Sequence, residues 1–244
     1  MKHQLKKNFY KALTYLPQKT QNEIWRAKIN IPSQFSKKLC VKIAENHQEL
    51  EESFRLVYEN YLQMGYCAKN PHKMRATIYH ALPTTTTLIA KYNGKIIGTL
   101  TIVRDNRLGL PSESIFNYKP LRIHSNRLAE ITSLTIDKEF RRKRGGEVFF
   151  PLLKFMYDYC TYYFGVNHLL VTIAPKEIPF YKSILLFKQH QDSKIKDYLG
   201  APAISLQLDL QQALYDYESI YKDKAKNKNL FKFFVEDQLE QLKF

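Results

Sequence analysis

A chain of 244 residues with 14% aromatic content is long enough to bury a sizeable core and too aromatic for a disordered segment. Its formal net charge of +15 suggests an acidic partner, without choosing among nucleic acid, an anionic membrane, a phosphorylated cofactor and an acidic protein. Cys40, Cys67 and Cys160 are odd in number, widely spaced and outside any CxxC, a pattern of reduced thiols in a cytoplasmic protein rather than a disulfide framework.

Taken in chain order, residues 1–38 are strongly basic, with Glu23 as the single acid. Leu5, Phe9, Leu13 and Leu16 recur there at helical spacing, so the segment reads as an amphipathic arm. Such an arm either covers the core or meets a partner such as an anionic membrane surface. It lacks the continuous apolar run and small-residue cleavage site of a secretory leader. Nor does any run of about 18 uncharged apolar residues mark a spanning helix. LCVKIA, residues 39–44, reads as a strand, and Asn46 then caps a helix with Leu50, Phe54, Val57, Tyr58, Tyr61 and Leu62 on one face. In TTTTLIAKYNGKIIGTLTIVRD two β-branched runs flank Asn93 and Gly94, the pair that suits a type I′ hairpin turn.

A loop rich in turn formers, NRLGLPSESIFNYKPLR, leads to the strand RLAEITSLTID, residues 127–137. In TIDKEFRRKRGGEVFF, four consecutive cations, Arg141, Arg142, Lys143 and Arg144, precede Gly145 and Gly146. From Gly145 onward Phe149, Leu152, Leu153, Met156, Cys160 and Phe164 follow helical spacing, with Pro151 early enough to bend the axis. HLLVTIA is a strand, IPFYKSILLF a short helix and PAISLQLDL a final strand. The chain after Leu210 reads as helical and charged, with a solvated break at KDKAKNKN. Its His and Cys residues never take paired metal-ligand spacings, so no metal site is expected.

This order of elements, with the residues at its centre, resembles the GNAT acyltransferase fold. The resemblance implies an α/β (α+β) architecture with a mixed, mostly antiparallel central sheet flanked by helices. In that family a strand ends in V-x-P-x-x-R-x-x-G-x-G/A, whose backbone N–H groups hold the pyrophosphate of an acyl carrier. Here Ile136 falls on the Val, Lys138 on the Pro, Arg141 on the Arg and Gly146 on the last Gly, while Arg144 stands in place of the first Gly. N–H groups at a helix start, the macrodipole and adjacent cations together favour an anion. Leu134, Thr135, Ile136, Arg141, Arg142, Lys143, Arg144, Gly145 and Gly146 are therefore the candidate carrier-binding residues. Three further segments, GTLTIVRDNRLGLPSESIF, RLAEITSLTID and GAPAISLQLDL, resemble the FeeM-type N-acyl amino acid synthases. The resemblance spans 39–210, leaving 1–38 as a basic arm and 211–244 as a helical extension. It extends more faintly to autoinducer synthases, whose E-x-S-R pattern meets Glu130 and Thr132 but finds Ser133 where Arg is usual.

What the resemblance implies is transfer of a long acyl group from acyl carrier protein to the amine of an amino acid. No tightly bound cofactor is then needed; the donor is the acyl-phosphopantetheine thioester of the carrier, or acyl-coenzyme A. Aminolysis needs an amine freed of its proton, oxyanion stabilisation and a proton for the thiolate. Glu130, in an otherwise apolar strand, is the candidate base, unless it pairs with Arg127 or Arg104 as a structural ion pair. Strand alternation puts Glu130, Thr132, Leu134 and Ile136 on one face, with Thr132 a candidate substrate contact. The oxyanion donors would be N–H groups near residues 134–136, where the fold splays two strands. Tyr181 sits where many GNAT enzymes carry the acid for the leaving sulfur; packing is the alternative. An acidic carrier protein suits the +15 balance, and Arg144 in a glycine position points away from a full coenzyme A grip. Three alternatives stay open: an acyl-coenzyme A-dependent or autoinducer-type enzyme, a basic module for nucleic acid or membrane, and an inactive scaffold. No specific nucleic-acid signature supports the second.

Overall fold

The computed structural model describes residue 13, residues 15–190 and residues 193–244. Leu5 and Phe9 of the amphipathic stripe lie outside these residues. The helix that the described part of the N-terminal segment forms is α1, Gln18–Arg26. It does not stand away as an arm: Arg26 Nε donates to the Ser183 carbonyl at 2.9 Å and Ser183 Oγ to Asn22 Oδ1 at 2.8 Å. Ile29 and Ile31 are buried in the main core.

β1 (Leu39–Ile43) leads into α2 (His47–Met64). Asn46 caps α2 with its side chain, which accepts the Glu49 N–H at 2.9 Å, and Gly65 closes it in left-handed geometry. β2 (Thr85–Tyr92) and β3 (Lys95–Arg104) form the expected hairpin. Positive φ at both Asn93 and Gly94, 50° and 82°, fits the type I′ turn. β4 (Leu128–Ile136), α3 (Lys138–Asp158), β5 (His168–Ile173) and α4 (Ile178–Ser183) follow. β6 (Lys188–Gln189), β7 (Lys196–Tyr198), β8 (Ala201–Asp209) and α5 (Leu210–Tyr221) precede β9 (Leu242–Lys243).

The strands form one sheet in the order β6-β8-β5-β4-β3-β2-β1-β9, with β7 also paired to β8. Neighbours are antiparallel except at β4–β5 and β1–β9, which are parallel. One face of the sheet carries the main core. There α3 presses so closely on β3 that a Cβ at Gly98 would stand 2.8 Å from Val148 Cγ1. The other face is covered by α2 and by the loop after β3, with Leu110, Phe116 and Tyr118 packed on Val103, Leu128 and Leu170. The segment after residue 210 is no appendage: Tyr217, Tyr221, Phe233 and Phe234 are buried in the main core and β9 extends the sheet.

Candidate active site

Two irregularities in β4 open the centre of the sheet. Its parallel pairing with β5 stops at Ile131 and Val171, although β4 continues to Ile136 and β5 to Ile173. Against β3 the register passes from Thr101–Thr132 to Thr99–Thr135, leaving Ser133 and Leu134 without a ladder partner. Ser133 sits at φ 55°, where a left-handed residue makes such a bulge. The extra residue overturns the simple alternation. Glu130 and Thr132 line a cavity on the α2 side, whereas Leu134 and Ile136 join Ile131 on the core side.

The α2-side cavity has a volume of about 330 Å³. Glu130 is almost wholly buried in its wall, at 2% exposure. Its Oε2 accepts the Ser112 N–H at 2.9 Å and its Oε1 faces the Thr172 hydroxyl at 3.4 Å. Burial pushes its carboxyl up to about 7, against the pull of the Ser112 hydrogen bond. The ion pairs considered from sequence do not form. The Arg104 guanidinium lies 3.6 Å over the Phe164 ring and donates to the Pro83 carbonyl, while Arg127 donates to the Phe164 carbonyl.

Three sequence segments converge on this cavity, and each has a physical reason. Gly109 takes φ 76°, which lets Pro111 open a 3₁₀ turn over Pro111–Ser114. That turn aims the Ser112 N–H at Glu130. Beneath it, Tyr118 shares hydrogen bonds with the Ser112 and Ser205 hydroxyls at 2.6 and 2.9 Å. Gly200, at φ 79°, turns the chain into β8, whose Ala201, Pro202 and Ala203 give the cavity a wall of short side chains.

Sequence reasoning missed the rest of the lining. Tyr61, taken for a core-facing helix residue, lines the cavity, and the Arg75 guanidinium lies 5.0 Å over its ring. Among the described residues Arg75 has no carboxylate partner. Tyr79, His80 and Tyr198 add to the polar lining. Burial raises Tyr79 and Tyr198 and lowers His80, so all three stay uncharged at neutral pH. Arg75 lies in a segment with no periodicity, and nothing local marked it.

Tyr181 is on the other side of β4. It borders an apolar cleft with Ile131, Leu134 and Val171, its ring packed edge-on against Phe180 and Phe187. Burial pushes its phenol up to about 12. The cleft and the Glu130 cavity share Ile131 in their walls.

The basic turn differs from its expected form. α3 begins at Lys138, not Gly145, and Asp137 caps it by accepting the Glu139 and Phe140 N–H groups. The four cations therefore lie on the first two helical turns. Arg144 leaves helical geometry (φ −143°, ψ 26°), so Gly145 and Gly146 follow a break in the helix. Its guanidinium pairs with Glu147 and donates to the Tyr92 hydroxyl at 3.0 Å. Arg142 and Lys143 both approach Glu139, leaving Arg141 as the cation of the four without a carboxylate partner among the described residues. Gly146 packs near the Asn30 carbonyl, whereas the space over Gly145 is open apart from Arg141.

A family model described as N-acyl amino acid synthase FeeM matches residues 52–209. The chain belongs to the FeeM family. Its members are acyltransferases, and the chain is accordingly an enzyme that moves an acyl group from a donor to an amine. The solved structure of FeeM, an N-acyl amino acid synthase from uncultured soil microbes, is similar at 22% identity and TM-score 0.64, over 74% of this chain and 96% of that one. BjaI, a CoA-dependent acyl-homoserine lactone synthase solved with SAM and isopentyl-CoA, follows at 14% identity and TM-score 0.58, over 74% and 88%. The AHL synthase LasI gives 15% identity and TM-score 0.55, over 73% and 95%. These likenesses place the FeeM-family chain in the GNAT fold. No curated protein sequence matches it. Among the described residues no helix is long and apolar enough to cross a membrane, and no group of three His, Cys, Asp or Glu is placed to hold a metal.

Proposed function

We propose that this enzyme transfers a long acyl chain from the phosphopantetheine thioester of acyl carrier protein to the α-amine of an amino acid. The observation that carries the reading is Glu130: a buried carboxyl, raised to about 7, in the wall of a cavity at the point where β4 and β5 part. The acceptor enters on the Glu130 side and the thioester reaches it through the gap between the strands. The amine nitrogen attacks the thioester carbonyl carbon, forming the C–N bond. Its proton passes to the Glu130 carboxylate, and the oxyanion meets backbone N–H groups at the unpaired Ser133–Leu134 bulge. Collapse breaks the C–S bond, and the thiolate takes the Tyr181 proton. Exchange with water restores both side chains.

A phenol at about 12 lies uphill of an ordinary thiol at about 8.5. The leaving thiolate, however, emerges into the same apolar surroundings, which raise its own proton affinity. Arg75, a cation in the acceptor cavity with no carboxylate partner among the described residues, suits the carboxylate of an amino acid. The net charge of +15 suits an acidic carrier.

The test is incubation of the purified enzyme with acyl-loaded carrier protein, or with acyl-coenzyme A, and a mixture of amino acids, followed by mass spectrometry. N-acyl amino acids formed faster from the carrier support the reading. Turnover with coenzyme A thioesters alone overturns the donor, and products on amines without a carboxylate overturn the acceptor.

A further inference from the structure

Behind Glu130 runs a chain of buried hydroxyls that the transfer steps do not use. Ser112, Tyr118 and Ser205 are wholly buried. Ser112 Oγ meets the Tyr118 hydroxyl at 2.6 Å, and that hydroxyl meets Ser205 Oγ at 2.9 Å. At one end the Ser112 N–H donates to Glu130 Oε2 at 2.9 Å, while the Thr172 hydroxyl faces Oε1 at 3.4 Å. At the other end the Ser205 N–H donates to Ser193 Oγ at 2.8 Å. Thr172 and Ser205 are register partners on β5 and β8, so both ends are fixed in the sheet.

Counting protons gives the chain a direction. Each hydroxyl has one proton to give. Tyr118 touches two hydroxyls and can donate to one, so the other must donate to it. A phenol is a better donor than an aliphatic alcohol, and a carboxylate at the end of the chain draws donors toward itself. With Ser205 donating to Tyr118 and Tyr118 to Ser112, the Ser112 proton is left for Glu130. The opposite sense turns that proton away. The Ser112 turn also has an outer anchor, since Glu113 Oε2 accepts the Leu110 N–H at 2.8 Å and Arg122 pairs with Glu113 at 2.6 Å. Loss of the Tyr118 hydroxyl therefore breaks the chain while the turn keeps its place.

The other titratable groups facing Glu130 hold one charge state near neutrality. Burial, and then the charge of Glu130, raise the phenols of Tyr79, Tyr118 and Tyr198. Arg122 keeps Glu113 ionised, burial lowers His80, and Arg75 is a fixed cation. The His190 ring stands edge-on to Tyr118 at 5.5 Å.

We infer that Tyr118 is a positioning residue for the proposed acyl transfer: through Ser112 it turns a hydroxyl proton onto the Glu130 carboxylate and so keeps that carboxylate ready for the amine. The inference rests on Glu130 as the base.

Profiles of kcat/KM against pH in wild type, Tyr118→Phe, Ser205→Ala and Glu130→Gln test it. Tyr118→Phe keeps the buried ring and loses the donor. Its inflection should move up by about half to one pH unit, the worth of one hydrogen bond. Its rate should fall about three- to tenfold below the inflection and return to the wild-type rate above it. Ser205→Ala, which joins Glu130 through Tyr118, should shift the inflection in the same sense by less. Thermal melting identifies folded variants, and Ser205→Ala keeps the test decisive if Tyr118→Phe does not fold. An unmoved inflection in the folded variants, whether the rate is unchanged or falls equally at every pH, overturns this inference alone. An inflection that survives in Glu130→Gln, as one belonging to His190 would, overturns the base reading and this inference with it.

Discussion

Glu130 and Leu134, four residues apart in β4, face opposite sides of the sheet. Glu130 lines the α2-side cavity and Leu134 the apolar cleft, because Ser133 adds one residue to the strand at φ 55°. Period-two alternation would put them together. The bulge separates an ionisable cavity from an apolar cleft within one strand.

Glu130→Gln isolates the base. Acting as a carboxylate, Glu130 should make kcat/KM rise with pH through about 7 and then level. The Gln variant should lose this inflection together with about 100- to 10,000-fold in rate. A pH–rate profile that keeps the inflection in the variant removes Glu130 from the role.

The same group makes stability depend on pH, and the sign is definite. Its folded value of about 7 exceeds the unfolded value of about 4.3, so the folded chain keeps a proton that the unfolded chain releases. The resulting stabilisation is complete below about 4.3 and is lost as pH rises through about 7, a fall of about 3–4 kcal/mol. Glu130→Gln keeps the acceptor for the Ser112 N–H and should therefore unfold at higher denaturant than wild type at pH 8, but not at pH 4.

Arg75→Gln should raise KM for an amino acid by about 10- to 100-fold, the worth of a charge-assisted hydrogen bond. Against the corresponding amino acid amide the penalty should be at least about tenfold smaller, since the group that Arg75 would meet is gone. Equal penalties on acid and amide would assign Arg75 to the packing of Tyr61 instead.

Arg141 lacks a carboxylate partner among the described residues, while its three cationic neighbours have one. Arg141→Ala should therefore raise KM for the carrier protein and flatten its dependence on salt, with kcat little changed. Arg142→Ala should do less, because Glu139 already offsets part of that charge. Initial rates over a range of ionic strength measure both.

Gly98→Ala places a Cβ 2.8 Å from Val148 Cγ1 and 3.1 Å from Leu152 Cδ1. It should cost about 1–3 kcal/mol in urea unfolding, and Val148→Ala on the same chain should return part of that cost.

The sequence made the regular elements legible where side chains state a local rule. Asn46 at a cap, Asn93 and Gly94 in a two-residue turn, and an acid within the apolar run of β4 all act through their immediate neighbours. Ser133 carries no such mark: no glycine announces its left-handed backbone, and the bulge follows from how three strands fit together. The start of α3 was readable and was overridden, since Asp137 followed by Glu139 is a helix opening. The glycine pair and the family spacing point to a start seven residues further along, at Gly145. Arg75 and Phe234 reach their cavities only through tertiary packing, which no local pattern encodes.

The pairing of β9 with β1 has a practical side. Leu242 and Lys243 lie alongside Val41 and Lys42, the Val41 N–H donates to the Gln241 carbonyl at 2.7 Å, and Phe244 stacks on Phe155 at 4.3 Å. Deleting residues 240–244 would bare the outer hydrogen-bonding groups of β1, a template for joining sheet to sheet. Purification tags therefore belong away from this end, and a shortened chain should be watched for aggregation before it is assayed for activity.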